Sequence, residues 1–167
     1  MKIEPPFTAC REYRQTLDAP PDAVFPLLCP VREREWVVGW DPHVVVTASG
    51  VIEPGCIFVT PGDDGLDSIW VTTRHDPRER LVEFVKVTPG STVGRIAIRL
   101  EAAAEGRTHA HVSYAYTALS GAGREFVEEF TEERFERFMR AWEDALNAFL
   151  HERGHGGMHD GAEDGGA

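Results

Sequence analysis

Cysteine is scarce in this chain and poorly placed for cross-linking. Cys10, Cys29 and Cys56 are the only three and show no CxxC spacing, which excludes a disulfide framework or a zinc knuckle and fits a reducing compartment. Positive charge is also short: 17 Lys and Arg stand against 28 Asp and Glu, a formal net charge of −11. Nucleic acid and anionic lipid surfaces are gripped by clustered basic side chains, so neither is an expected partner. Apolar runs never reach the roughly 20 residues of a membrane span. Met1–Phe7 carries a lysine but no apolar segment of a secretion signal. The expectation is a cytoplasmic protein without membrane insertion. Gly-rich phosphate loops and a Ser or Cys nucleophile with a paired base are also missing as motifs, and no cofactor is expected.

What is present begins with a strong amphipathic pattern from Ser120 to Arg153. Phe126, Phe130, Phe138, Trp142, Leu146 and Phe149 recur at helical spacing, with Glu128, Glu129, Glu132, Glu133, Glu136, Arg137 and Arg140 between them. Ser120 is the predicted N-cap and Gly154 the predicted stop. A single helix of this length, about 50 Å at 1.5 Å per residue, needs a whole curved sheet to cover its apolar stripe.

The chain ahead of it supplies one. Residues 7–18 read as a strand halted at Ala19-Pro20-Pro21. A short helix over Asp22–Leu28 follows, interrupted by Pro26, then a second over Val31–Val38 with Pro30 at its first position. In that second helix Glu33 sits one turn before Trp36 and Val37; Glu33 and Glu35 cannot share a face, and both are expected in solvent. From there β-rich runs at 43–52, 55–60, 66–75, 80–88, 92–103 and 107–118 alternate with turn residues such as Pro54-Gly55, Asp76-Pro77, Pro89-Gly90 and Glu105-Gly106. The predicted fold class is α+β, a seven-stranded curved antiparallel sheet around a long C-terminal helix. Residues 1–153 form one domain, and 154–167, rich in Gly, His and acid, form a disordered tail.

Hairpin registers carry this further. A three-residue loop at Ala104-Glu105-Gly106 sets Ile98 opposite Val112 and Ile96 opposite Tyr114. A two-residue Pro89-Gly90 turn sets Ile96 opposite Glu83, which turns Glu83 inward and brings Trp70, Thr72 and Arg74 to the same face. A slip of one residue brings in Ile69, Val71, Val82 and Phe84 instead.

The order of elements, with Ala19-Pro20-Pro21-Asp22-Ala23-Val24-Phe25 at the first helix and Cys29–Trp36 followed by Gly39-Trp40, resembles the START-related SRPBCC superfamily of polyketide cyclase/dehydrase and lipid-transport type. The resemblance implies a helix-grip fold with space between sheet and helix. Candidate ligand-binding residues are Trp36, Trp40, Phe58, Trp70, Arg74, Glu83, Tyr114, Tyr116, Phe130 and Phe138, with Trp142 in the same aromatic set and phenol and indole groups as polar hooks. Glu83 is the candidate acid or base, with Arg74 beside it; each has an ordinary ion pair as its plain alternative. His109 and His111 share a strand face that looks outward, so no metal is expected. The first function expected is binding of a small hydrophobic or aromatic ligand. The alternatives are a cyclase or dehydratase of the same fold and a co-chaperone-like protein-binding module, for which an apolar outer sheet face would speak. A homodimer is compatible with each.

Overall fold

The structure is a computed structural model that describes residues 3–62 and 65–156, with side chains up to Arg153. The expected tail beyond Gly156 lies outside the described residues. Strand β1 (Thr8–Leu17) leads into helix α1 (Pro21–Val24) and a 3-10 turn at Phe25–Leu28. Pro26 limits this segment to two short pieces, because it cannot donate within a continuing helix. The second helix expected over Val31–Val38 is only a 3-10 turn at Glu33–Glu35. Strands β2 (Val44–Val46), β3 (Ile57–Thr60), β4 (Ser68–Asp76), β5 (Leu81–Thr88), β6 (Thr92–Ala102) and β7 (Thr108–Ala118) follow, then helices α2 (Gly121–Glu129) and α3 (Glu132–Gly156). One antiparallel sheet has the order β1-β7-β6-β5-β4-β3-β2.

The single long helix of the sequence reading is two helices. Phe130 leaves helical geometry at ψ 61°, and the Thr131 hydroxyl accepts from the Arg134 N–H at 3.2 Å, capping a new helix. Ser120 caps α2 as expected, accepting from Gly123 N–H at 3.1 Å. Gly154 does not end α3, which runs on to Gly156. Phe135, Met139 and Leu146 of α3 are fully buried, whereas Phe138, in the same apolar stripe, is 51% exposed.

Helix α3 also closes the free edge of β1. Glu143 accepts from the Thr16 N–H at 2.7 Å, Asn147 donates to the Thr16 carbonyl at 3.0 Å, and its side-chain oxygen accepts from Asp18 N–H at 2.9 Å. Backbone groups that an edge strand leaves open are thus satisfied by the helix that the sheet wraps. Deeper in, Gln15 donates to the Met139 carbonyl at 2.9 Å.

Register fixes which side chains reach the interior. The β6–β7 pairing places Ile98 opposite Val112 and Ile96 opposite Tyr114, as predicted. The β5–β6 pairing differs by one residue: Thr88 faces Thr92, and Glu83 faces Ala97 instead of Ile96. The cause is the loop. Ser91 N–H donates to the Thr88 carbonyl at 3.0 Å and Gly90 takes φ 74°, a type II geometry whose twist does not suit a two-residue hairpin, so Ser91 is left outside the ladder. Val82, Phe84 and Lys86 therefore face inward and Glu83 outward. On β4, Trp70 and Thr72 keep the predicted inward face, but a bulge between Thr72 and Arg74 turns Arg74 outward, directly opposite Glu83.

The outer face of the sheet carries two rows of β-branched side chains: Val44, Val59, Ile69, Val87 and Val93, and Val46, Ile57, Val71 and Val85.

Candidate functional site

Between the inner sheet face, the first half of α3 and the segment Glu33–Asp41 lies a cavity of about 560 Å³. Nine aromatic side chains line it: Trp40, Phe58, Trp70, Phe84, Tyr114, Tyr116, Phe126, Phe138 and Trp142. Trp70 and Phe58, neighbours across β3 and β4, stack at 5.3 Å; Phe84 meets both edge-on at 5.9 and 6.2 Å, and Trp40 closes over them at 6.0 and 6.5 Å. On β7, Tyr114 and Tyr116 have ring centres 6.1 Å apart, and Tyr114 reaches Phe138 at 6.4 Å. A second, more polar concavity of about 520 Å³ lies outside the core, between Pro5-Pro6 and the β7–α2 corner. Glu4, Phe7 and Arg124 line it, with the Arg124 guanidinium 4.8 Å from the Phe7 ring centre, but it lacks the converging rings of the first.

The tyrosine wall depends on a missing side chain. Lys86, Gly94 and Tyr116 form one row across β5, β6 and β7, and the Tyr116 ring lies over Gly94 so closely that a Cβ there would sit 2.6 Å from it. Tyr116 thereby reaches the Lys86 ammonium, 6.0 Å from its ring centre, which also lies 4.9 Å from that of Trp70.

Of the polar groups that line the cavity, four bear on its chemistry. Lys86 is one. The Tyr114 and Tyr116 hydroxyls are held protonated by burial, with their pKa values pushed up from the ordinary phenol value. The fourth is Glu33. Solvent reaches it only partly and it lines the cavity; desolvation, with no charge or hydrogen bond to offset it, raises its carboxyl to about 8. The expectation that Glu33 is solvated is therefore corrected. Glu35, two residues on, is exposed and held by Arg32 at 2.9 Å.

Six of the ten residues expected at the site stand on the cavity wall: Trp40, Phe58, Trp70, Tyr114, Tyr116 and Phe138. Trp36 and Phe130 are core residues behind it, Trp36 against Trp142 at 4.8 Å and Phe130 between Tyr116 and Phe135 at 5.0 and 5.4 Å. Arg74 and Glu83 are on the opposite face, with Arg74 paired to Asp76 at 3.2 Å; neither reaches the cavity. The indole hooks are also taken: Trp36 donates to the Leu27 carbonyl, Trp40 to the Pro30 carbonyl and Trp70 to the Thr60 hydroxyl. Glu33, Phe84 and Lys86 were missed. The signal for Phe84 and Lys86 was the alternative register, and for Glu33 its place one turn before Trp36 and Val37.

Among the described residues no group of three or more His, Cys, Asp or Glu is placed to hold a metal, and no helix is long and apolar enough to cross a membrane. His111 is outside the cavity, 3.2 Å from Glu101.

No family model and no curated protein matches the sequence. Solved structures do match in shape. Norcoclaurine synthase from Thalictrum flavum, as a point mutant in complex with a transition state analogue, is 14% identical at a TM-score of 0.66, over 90% of this chain and 99% of that one. Mll3558 from Rhizobium loti is 15% identical at 0.64, over 87% and 99%. CalU16 from Micromonospora echinospora is 18% identical at 0.56, over 88% and 84%. Such identities speak to architecture alone, and with the seven-stranded sheet and long C-terminal helix they place this chain in the helix-grip fold that these Bet v1-like and SRPBCC-type structures share.

Proposed function

We propose that this protein binds a small hydrophobic or aromatic ligand in the cavity between the sheet and α3. One observation carries the reading: about 560 Å³ of space lined by nine aromatic side chains and approached by the polar groups of Glu33, Lys86, Tyr114 and Tyr116. A tight core would have filled that volume, while a ligand site leaves it open and adds a few polar groups to orient the guest. That a norcoclaurine synthase of this fold holds a transition state analogue is consistent with it. The test is titration of the intrinsic fluorescence of Trp40, Trp70 and Trp142 with naphthyl, indolyl and acyl probes, alongside native mass spectrometry of the purified protein. Saturable quenching lost in Phe58→Ala supports the reading; probes that leave the spectrum unchanged at millimolar concentration refute it.

A second reading, a cyclase or dehydratase, has one observation in its favour. Glu33 keeps its proton to about 8 and faces the same apolar space as the Lys86 ammonium, the acid and cation that enolate chemistry uses. It rests on Glu33 in place of Glu83, and product analysis by mass spectrometry after incubation with poly-β-keto thioesters tests it. A homodimer is supported by the two aliphatic rows on the outer sheet face, which light scattering of wild type and Ile69→Lys examines. A monomer in both removes it.

A further inference from the structure

We propose that the Glu33 end of the cavity is a cation site, and that the preferred ligands are apolar or aromatic molecules carrying a protonated amine. This rests on the cavity reading and specifies the chemistry of one end of it.

Nearby arginines are engaged elsewhere. Arg32 forms two hydrogen bonds with Glu35 at 2.9 and 3.1 Å, Arg153 lies 3.7 Å from the same carboxylate, Arg34 pairs with Asp41 at 3.6 Å and Arg134 with Glu129 at 3.2 Å. Glu33 is thus a half-buried carboxyl on the cavity wall with no protein cation paired to it among the described residues. A partly desolvated carboxyl left in that state either stays neutral or recruits a charge from outside. The wall favours the second. Trp40, Tyr114, Phe138 and Trp142 line the same space, and aromatic faces attract ammonium groups in desolvated sites. A chain of net charge −11 also draws cations toward its clefts and repels anions.

The proton balance follows. The cavity's other titratable groups are Tyr114 and Tyr116 on β7, both kept neutral by burial, Lys86 on β5, Asp41 after the Glu33 turn and Arg134 on α3. On the Glu33 turn itself, Arg32, Arg34 and Glu35 pair with one another or with Asp41 and Arg153. Glu33 is protonated below about 8, so pairing it with an ammonium ion breaks its O–H bond and sends that proton to the buffer, while the amine keeps all of its own.

The test uses two probes of one shape, 2-naphthylmethylamine and 2-naphthalenemethanol, titrated calorimetrically into wild type and Glu33→Gln in buffers of different ionisation enthalpy. Wild type is expected to favour the amine by about tenfold or more at pH 8, with amine affinity falling up to about tenfold per pH unit below that. Close to one proton should be released per amine bound at pH 7. Glu33→Gln should lose the preference and the proton release but keep alcohol affinity. Equal binding of both probes by wild type, or an amine preference that survives Glu33→Gln, overturns the proposal and leaves the cavity reading intact. Failure of both probes overturns the cavity reading and this one with it. If circular dichroism shows Glu33→Gln unfolded, proton release by wild type decides alone, and none at pH 7 overturns the proposal.

Discussion

Truncating Phe135 and Phe138 should separate stability from binding on one face of α3. Phe135 is 2% exposed and packs on Tyr114 at 5.3 Å and Phe130 at 5.4 Å, so Phe135→Ala removes a fully buried ring and leaves a void, a change that costs about 3–5 kcal/mol. Phe138 is 51% exposed and lines the cavity. Full burial of such a side chain is worth about 1.5–3 kcal/mol, so Phe138→Ala should cost about 1. For a domain of this size about 2–4 °C of melting temperature accompanies each kcal/mol, giving a loss of about 6–20 °C for Phe135→Ala and about 2–4 °C for Phe138→Ala. Thermal and urea unfolding by circular dichroism measure both, and tryptophan quenching by a naphthyl probe measures the cavity. The Phe138 variant should stay nearly as stable as wild type and bind at least about fivefold more weakly, having lost one wall of the site. Equal melting temperatures for the two variants would refute the assignment of Phe135 to the core and Phe138 to the cavity, and unchanged probe affinity in Phe138→Ala would refute its place in the site.

Gly123→Ala should destabilise by about 3 kcal/mol, the upper end for overpacking, because a Cβ there would stand 1.9 Å from the Ser91 carbonyl oxygen; helix propensity alone favours alanine by about 1 kcal/mol, so the sign of the change in urea decides. Gly94→Ala should displace Tyr116 from its path to Lys86 and weaken probe binding more than Phe138→Ala does, while an unaltered titration would mean that the row does not shape the site. A glutamate carboxyl in the unfolded chain ionises near 4.5 and Glu33 near 8 in the fold, so the folded chain holds an extra proton between these values. The stability contributed by the neutral form is complete below about 4.5 and is lost as pH rises through about 8. Glu33→Gln should accordingly gain on wild type by on the order of 1 kcal/mol per pH unit across that window, and urea midpoints whose difference does not change with pH would return Glu33 to solvent.

The strands, the meander of the later ones and the N-cap at Ser120 were legible because each rests on local chemistry: alternation, turn residues and a hydroxyl ahead of a helical stripe. Thr131-Glu132-Glu133 carried a second cap of the same kind, but the stripe of Phe126, Phe130 and Phe138 runs through it at nearly helical spacing. Periodicity concealed the break that the hydrophobic pattern bridges. Register was harder to read, since the β6–β7 and β5–β6 hairpins both turn on three residues and only the first announces it. Pro89-Gly90 looks complete in two, and Ser91 joins the loop because its carbonyl accepts from Leu119 N–H at 2.8 Å at the β7–α2 corner, a contact far away in sequence.

That extra residue sets the sign of the charge in the cavity. Strand β5 alternates Leu81, Glu83, Val85 and Val87 on one face with Val82, Phe84, Lys86 and Thr88 on the other, so either register presents the interior with mostly apolar side chains and one charge. Hydrophobic patterning therefore discriminates weakly between the two faces, and a one-residue change in the loop exchanges an acid for an ammonium. With Lys86 inside, its charge lies over the rings of Trp70 and Tyr116, and the acid of the site comes from a different element, the Glu33 turn. Acid and cation then reach the cavity from separate walls with room for a guest between them, whereas the expected Arg74–Glu83 pair, now directly opposed on the outer face, would have put both charges side by side on adjacent strands.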